Sequence, residues 1–280
     1  MSSAIFAPGQ QVGGYRLERL LGEGASGVVY AAVDARDARV ALKLLRPELA
    51  DDVALRARFV REARLARGID SKHVAPILQL GEAQGLTYLV LPLYEDGSLA
   101  ARLRTRGRLG VEETVHLSAQ LARGLEALHE RGIVHRDLKP SNVLFSDGGA
   151  TAAIADFGLA RTPDSTRLTL DGQLLGTPHY VAPEVIEGLE ATPASDLYAL
   201  GCVLYECVVG EPPFAGRRLS ELGFAHLVEP APDPRERRPD LPADFAFALL
   251  TALEKEPSAR PTTPTALARL LHLARTAGPA

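Results

Sequence analysis

Between positions 135 and 142 the sequence reads His135-Arg136-Asp137-Leu138-Lys139-Pro140-Ser141-Asn142, four ionisable side chains and an amide in eight residues. Asp137 has the chemistry to accept a proton from an attacking hydroxyl. Lys139, two residues on, carries the charge to stabilise a transferring phosphoryl group. Asn142 offers an amide oxygen of the kind that binds a hard cation. Asp156-Phe157-Gly158 follows, and Asp156 is a second oxygen ligand for such a cation. Chance co-occurrence of these groups in this order is negligible.

Nearer the start, Gly22-Glu23-Gly24-Ala25-Ser26-Gly27-Val28-Val29 fits G-x-G-x-x-G-x-V. A dinucleotide loop has similar glycines but leads from a strand into a helix. Here a strand follows, with no helix N-terminus to hold a pyrophosphate. A hairpin of this kind can fold over a nucleotide, its missing side chains letting backbone N–H groups approach phosphates. The alternative is a plain β-turn. Val40-Ala41-Leu42-Lys43 then sets a lysine among apolar strand residues. Pointing it inward is costly without anionic partners. Phosphate oxygens and a carboxylate would serve, and the next helix offers Glu62. A purely structural Lys–Glu pair is the other reading.

Lysine is scarce here. Of 31 basic residues only Lys43, Lys72, Lys139 and Lys255 are lysines, although codon bias toward arginine would explain that as well. The chain has 280 residues and a formal charge of −4, which argues against wholesale nucleic-acid binding. Two cysteines make no disulfide framework, and Cys202 and Cys207 match no zinc spacing. They read as small buried hydrophobes on one helix. The residues at 1–10 lack a signal-peptide pattern. The longest apolar stretch, 197–210, is too short for a bilayer and contains Glu206. A cytoplasmic, reducing location is the expectation.

These groups must be held by regular elements. Strands are predicted over 15–21, 28–33, 39–45, 74–80 and 87–91, with a helix over 51–67 stopped by Gly68. Five strands and one helix make a small first lobe. Around 92–97 a Pro, two acids and a Gly form a connector. Beyond it the chain turns helical, over 111–131, 195–209, 244–254 and 264–275. Between these, 133–192 is rich in Gly, Pro, Asp and Thr, with a short strand at 152–155. So long an irregular segment is uncommon unless functional. The residues at 230–242 read as a Pro-rich surface connection.

With these motifs in order, the sequence resembles the eukaryotic-type (Hanks-type) serine/threonine protein kinases, in particular the bacterial branch. The resemblance covers 15–271. Gly176-Thr177-Pro178-His179-Tyr180-Val181-Ala182-Pro183-Glu184 looks like the end of an activation segment. Asp196 to Gly201 looks like the start of the buried central helix of the large lobe. Lys255-Glu256-Pro257-Ser258-Ala259-Arg260 resembles the closing motif, whose Arg usually pairs with the Glu matched here by Glu184. The implied fold is α+β and bilobal, a small antiparallel sheet with one main helix and a larger, mostly helical lobe. The implied boundaries are an extension at 1–14, a kinase domain at 15–272 (N-lobe 15–91, hinge 92–97, C-lobe 98–272) and a tail at 273–280.

What the resemblance implies can be carried over position by position. The activity is transfer of the γ-phosphate of ATP, with magnesium or manganese, to Ser/Thr hydroxyls of proteins. Gly22, Gly24 and Gly27 cover the ATP phosphates, and Leu21, Glu23, Ala25 and Ser26 are further ATP-binding residues. Lys43 holds the α- and β-phosphates, fixed by Glu62. Asn142 and Asp156, the latter backed by Phe157 and Gly158, hold the metal. Asp137 orients the substrate hydroxyl and takes its proton. Lys139 marks serine/threonine rather than tyrosine specificity, and Thr177 bonds Asp137 and Lys139. Val29, Ala41 and Leu144 sandwich adenine, with Leu91 as gatekeeper. Pro92 stands where an acid is common. It has no N–H but keeps its carbonyl, and Tyr94 supplies the N–H.

Arg136 is of the kind that pairs with an activation-loop phosphate. Among Thr162, Ser165, Thr166 and Thr169, Thr169 is the expected main autophosphorylation site and Thr166 the second. A homodimer of kinase domains for trans-autophosphorylation fits that expectation. His135 is read as architectural packing. His73, His116, His129, His179, His226 and His272 do not cluster as ligands and read as structural or surface residues. The alternatives are a pseudokinase scaffold and a small-molecule phosphotransferase. Lys43, Asp137 and Asp156 speak against the first, and Ala182-Pro183-Glu184 against the second. Bacterial relatives often continue to a membrane span and sensor domain, so an anchor beyond residue 280 stays open.

Overall fold

The computed structural model describes residues 6–24, 27–45, 53–157 and 178–276. The chain divides into two compact units, Met1–Asp70 with Ala75–Glu95, and Ser71–Val74 with Asp96–Ala280.

The smaller unit is an antiparallel sheet of six described strands in the order β1-β2-β3-β4-β6-β5. These are β1 (Gln11–Val12), β2 (Tyr15–Glu23), β3 (Gly27–Val33), β4 (Arg39–Leu45), β5 (Gln79–Ala83) and β6 (Leu86–Pro92). Alternation sorts β4 cleanly. Val40, Leu42 and Leu44 join Val28, Tyr30, Ala32, Tyr88 and Val90 in one buried cluster. Ala41 and Lys43 therefore project from the opposite face. The helix α1 (Val53–Ala66) buries Phe59, Ala63 and Ala66. Gly68 follows at φ 87°, a conformation that ends a helix without a Cβ penalty.

One strand differs from expectation. The run at 74–80 looks β-forming, yet the ladder starts at Gln79 and runs to Ala83. Pro76 lacks the N–H a ladder needs. Val74 instead makes an isolated parallel bridge to Ile154, in the larger unit. Gly81 then sits where any Cβ would lie 2.3 Å from the Tyr88 ring.

The larger unit carries α2 (Leu99–Arg106), α3 (Val111–His129), the hairpin β7 (Val143–Ser146) and β8 (Thr151–Ile154), α4 (Pro183–Ile186), α5 (Pro193–Val209), α6 (Leu219–Val228), α7 (Ala243–Thr251) and α8 (Pro264–Ala274). Its core centres on α5, where nearly every residue from Ser195 to Val208 is buried, Cys202 and Cys207 included. Gly201 lets α5 approach closely, since a Cβ there would lie 2.9 Å from that of Ala252. No described helix is long and apolar enough to cross a membrane.

Helices α2, α4 and α6 and strands β1 and β7 were not expected. Helix α2 is short and Arg-rich, held by its Ser98 cap, whose Oγ accepts from Ala101 N at 3.2 Å. The 230–242 connection is not purely superficial either. Arg238 is buried there, and its Nη1 donates to Leu109 O at 2.8 Å and Val208 O at 3.0 Å.

Candidate active site

In the smaller unit the Gly-rich turn joins β2 to β3. Gly24 and Gly27 exchange backbone bonds of 2.9 and 3.4 Å across it. Gly27 has no freedom to be anything else, because a Cβ would lie 2.0 Å from Leu44 O. By the same measure Gly22 faces open space, a Cβ at Gly24 would make ordinary contact with Gly27 O at 4.0 Å, and Leu21 and Glu23 are exposed. Ala25 and Ser26 lie outside the described residues.

Register brings the next residues onto one face. Val29 pairs with Lys43, and Ala41 pairs with Leu91. All four lie on the face away from the buried cluster. Val29 is the one half-exposed residue in an otherwise buried strand. Lys43 is itself only 3% exposed, so it needs anionic company. Glu62 lies on α1, its side chain outside the described ones. Pro92 ends β6 opposite Val40. Tyr94 is half-buried, and burial pushes its phenol pKa up.

In the larger unit the segment 135–142 is held from behind by one carboxylate. Asp196 accepts from His135 N at 2.7 Å and Arg136 N at 2.9 Å. It also meets His129 Nε2 at 2.7 Å. These bonds hold Arg136 at φ 66°, a strained conformation for a side chain of that size. The Arg136 guanidinium reaches Glu190 at 3.7 Å. His135 is fully buried, and its Nε2 donates to Ala155 O at 3.1 Å. That leaves Nδ1 to accept from Asp137 N at 3.2 Å. Burial lowers its pKa and keeps it neutral. It has no proton to spare, and works as packing against the edge of Phe157.

Asp137, Lys139 and Asn142 form a tight group. Lys139 Nζ donates to Asp137 Oδ2 at 2.8 Å. Asn142 Nδ2 donates to Asp137 O at 2.7 Å and to Oδ2 at 3.3 Å. The amide nitrogen is thereby spent on Asp137, while the amide oxygen Oδ1 accepts only a long bond, 3.5 Å, from Ser141 Oγ. The β7–β8 hairpin pairs Val143 with Ile154, and Ala155 N extends the ladder to Asn142 O at 2.8 Å. Asn142 and Asp156 thus flank adjacent strand ends. Asp156, at φ 60°, is turned out of the strand direction. An amide oxygen and a carboxylate make a hard oxygen donor pair, which suits magnesium better than a softer metal. On the same hairpin Leu144 is half-exposed between buried neighbours.

Further out, Arg260 and Glu184 lock the unit. Arg260 Nη1 and Nη2 donate to the two Glu184 oxygens at 2.9 and 2.8 Å. Ser195 Oγ adds a third bond to Glu184 at 2.7 Å. Burial pushes the Glu184 pKa up, but the bonds from Arg260 and Ser195 outweigh it and leave the pKa below its ordinary value. Gly158, Thr166, Thr169 and Thr177 lie outside the described residues, as do Thr162 and Ser165.

Two contributors escaped the sequence reading. His129, read as structural or surface, supports Asp196 from the end of α3. Glu206, noticed only as a charge in an apolar stretch, accepts from Tyr180 OH at 2.6 Å. Both contacts join residues far apart in sequence, and no local spacing signals them.

A family model of the protein kinase domain matches residues 15–271. The chain is 40% identical over 262 residues to serine/threonine-protein kinase PknD of Mycobacterium tuberculosis, across 93% of this chain and 39% of that protein. It is 40% identical over 267 residues to PknE of the same species, across 95% of this chain and 47% of that protein. The chain spans less than half the length of these curated relatives. Among solved structures, the kinase domain of Mycobacterium tuberculosis PknI aligns with a TM-score of 0.77 at 27% identity, covering 96% of this chain and 99% of that one.

Proposed function

The chain belongs to the protein kinase family, and on that premise we propose that it is a serine/threonine protein kinase using ATP and a divalent metal. The observation that carries this reading is the Asp137–Lys139–Asn142 group, with Asp156 at the neighbouring strand end. Asp137 orients the acceptor hydroxyl and takes its proton as the oxygen attacks the γ-phosphorus. The bond to the bridging oxygen breaks, and ADP leaves with the electron pair. Lys139 neutralises charge on the transferring group, so positioning and electrostatics do most of the work. Magnesium, or manganese, held by Asn142 and Asp156 would screen the phosphates. Lys43 and Glu62 hold the α- and β-phosphates beneath the glycines at 22, 24 and 27. Val29, Ala41, Leu91 and Leu144 contribute apolar contact to adenine, while Pro92 O and Tyr94 N bond its edge.

Autophosphorylation at Thr169, then Thr166, between two copies of the domain, completes the reading, with Arg136 receiving the phosphate. The working compartment is the cytoplasm. The test is transfer of labelled γ-phosphate to a generic protein substrate with magnesium. Lys43→Met and Asp137→Asn should each abolish transfer while retaining the wild-type circular dichroism spectrum. Wild-type turnover in Asp137→Asn would overturn the mechanism.

A further inference from the structure

Helix α2 carries three arginines, and two of them are spent within the larger unit. Arg102 Nη1 reaches Glu113 at 3.5 Å, its Nη2 donates to Gly149 O at 3.3 Å, and its guanidinium lies 3.6 Å from the centre of the Phe145 ring. Arg106 Nη1 and Nη2 donate to the two Glu113 oxygens, each at 2.8 Å. Arg104 differs. It is exposed, and among the described residues its guanidinium has no hydrogen bond, ion pair or ring contact. A planar fork that suits a carboxylate is left without one.

Arg104 lines a cavity of about 320 Å³ in the larger unit. Lys139 is part of the same wall, and its Nζ lies 2.8 Å from Asp137 Oδ2. The cavity therefore opens beside the group assigned to the acceptor hydroxyl. Leu103 and Pro140 give it apolar surface. Among the described residues that line it, Glu206 is the one acid, set against the two cations Arg104 and Lys139. Glu206 is half-buried, and its Oε2 accepts from Tyr180 OH at 2.6 Å. Burial pushes its pKa up, and the bond from Tyr180 offsets that only in part. An entering side chain meets the exposed guanidinium before the half-buried carboxylate.

We propose that Arg104 is a specificity-determining residue, which reads an acidic side chain close to the phosphoacceptor of a peptide substrate. The proposal rests on the protein kinase reading, which supplies the peptide. The methylenes of a Glu or Asp lie on Leu103 and Pro140, and its carboxylate accepts from the Arg104 fork. A lysine in the same place meets the like charges of Arg104 and Lys139. Arg104 takes no part in the transfer step, so its effect falls on peptide affinity.

The test is a binding measurement. Labelled threonine peptides, carrying Glu, Ala or Lys at each position flanking the threonine, are titrated against the full chain at low salt and followed by fluorescence anisotropy. At one flanking position Glu should bind about threefold tighter than Ala and about tenfold tighter than Lys. The contrast should shrink at high salt. Arg104→Glu should reverse the order at that position. Arg269→Glu, the same change of charge at an exposed position on α8, should leave the order as it is. Equal affinities for the three peptides, a preference for Lys, or an unchanged order in Arg104→Glu overturns the assignment. Peptides that bind in the expected order yet receive no phosphate would sink the kinase reading and leave the role of Arg104 standing.

Discussion

Arg260 spends every donor of its guanidinium within the larger unit, and Glu184 takes two of them side by side. Nη1 and Nη2 meet the Glu184 oxygens, and the remaining three N–H groups go to the carbonyls of Glu254, Ala194 and Lys255. The Arg260 side chain has no exposed surface and that of Glu184 has 8%. A planar fork with five fixed donors suits this socket, and an ammonium does not. The pair ties the closing motif to the segment that ends at Glu184, so its value lies in fixing geometry rather than in bulk stability.

Arg260→Ala should therefore destabilise the fold by about 3–5 kcal/mol, because it strands the Glu184 carboxylate without its cation. Arg260→Lys should recover less than half of that loss. Urea denaturation at neutral pH reads both. A midpoint within error of wild type for Arg260→Ala would mean the pair contributes nothing.

Acid should unfold the protein early, and His226 is a principal reason. It is fully buried, with Tyr198 OH 2.8 Å from its Nδ1. Burial chiefly, helped by Lys255 and His179, lowers its pKa to about 3. An unfolded histidine takes up a proton near 6.5, so the contribution of neutral His226 is complete above that pH. It is lost as pH falls toward 3, at about 1.4 kcal/mol per pH unit. His135 and His73, also lowered by burial, act in the same direction. Stability measured at pH 7.0, 6.0 and 5.0 should fall, and His226→Gln should fall less steeply, by one proton. Parallel slopes for wild type and variant would rule His226 out.

How much of this was legible in the sequence depended on distance along the chain. The segment 135–142 carries its chemistry within eight residues, and strand β4 carries its alternation within seven. Both could be read directly. The Asp196 contacts to His129, His135 and Arg136 span 60 residues or more and exist only once α3 and α5 pack. Helix α2 was missed because its eight residues are too few and too polar for a clear period. The strand expected at 74–80 slipped because β-branched residues there suggested pairing that Pro76 cannot complete. Propensity describes one residue at a time, whereas ladder bonds are made in pairs.

The glycines of the turn should separate by substitution. Gly27→Ala drives a Cβ into Leu44 O of β4, and backbone cannot swing aside as a side chain would. It should cost about 2 kcal/mol or more and raise the KM for ATP. Gly22→Ala meets nothing within 4 Å, so its effect on stability should stay within about 0.5 kcal/mol. Thermal melting of both variants checks the contrast. Equal melting temperatures would show that β3 and β4 can part at no cost.

Asp196 touches no reacting group, yet it should control turnover through the backbone. Its Oδ1 and Oδ2 accept from consecutive N–H groups and so hold Arg136 at φ 66°, next to Asp137. Asp196→Asn keeps the shape but turns an NH2 donor toward a position that supplies only donors. A buried N–H left unpaired costs about 1–3 kcal/mol. Relaxation of Arg136 to an ordinary φ would then relieve that cost and carry Asp137 away from Lys139 and Asn142. The expected signature is kcat lowered at least tenfold with the KM for ATP little changed, since the sheet residues proposed to face ATP are untouched. Assays run well below the melting temperature of the variant separate this from unfolding. An unchanged kcat would show that the loop keeps its course without the carboxylate.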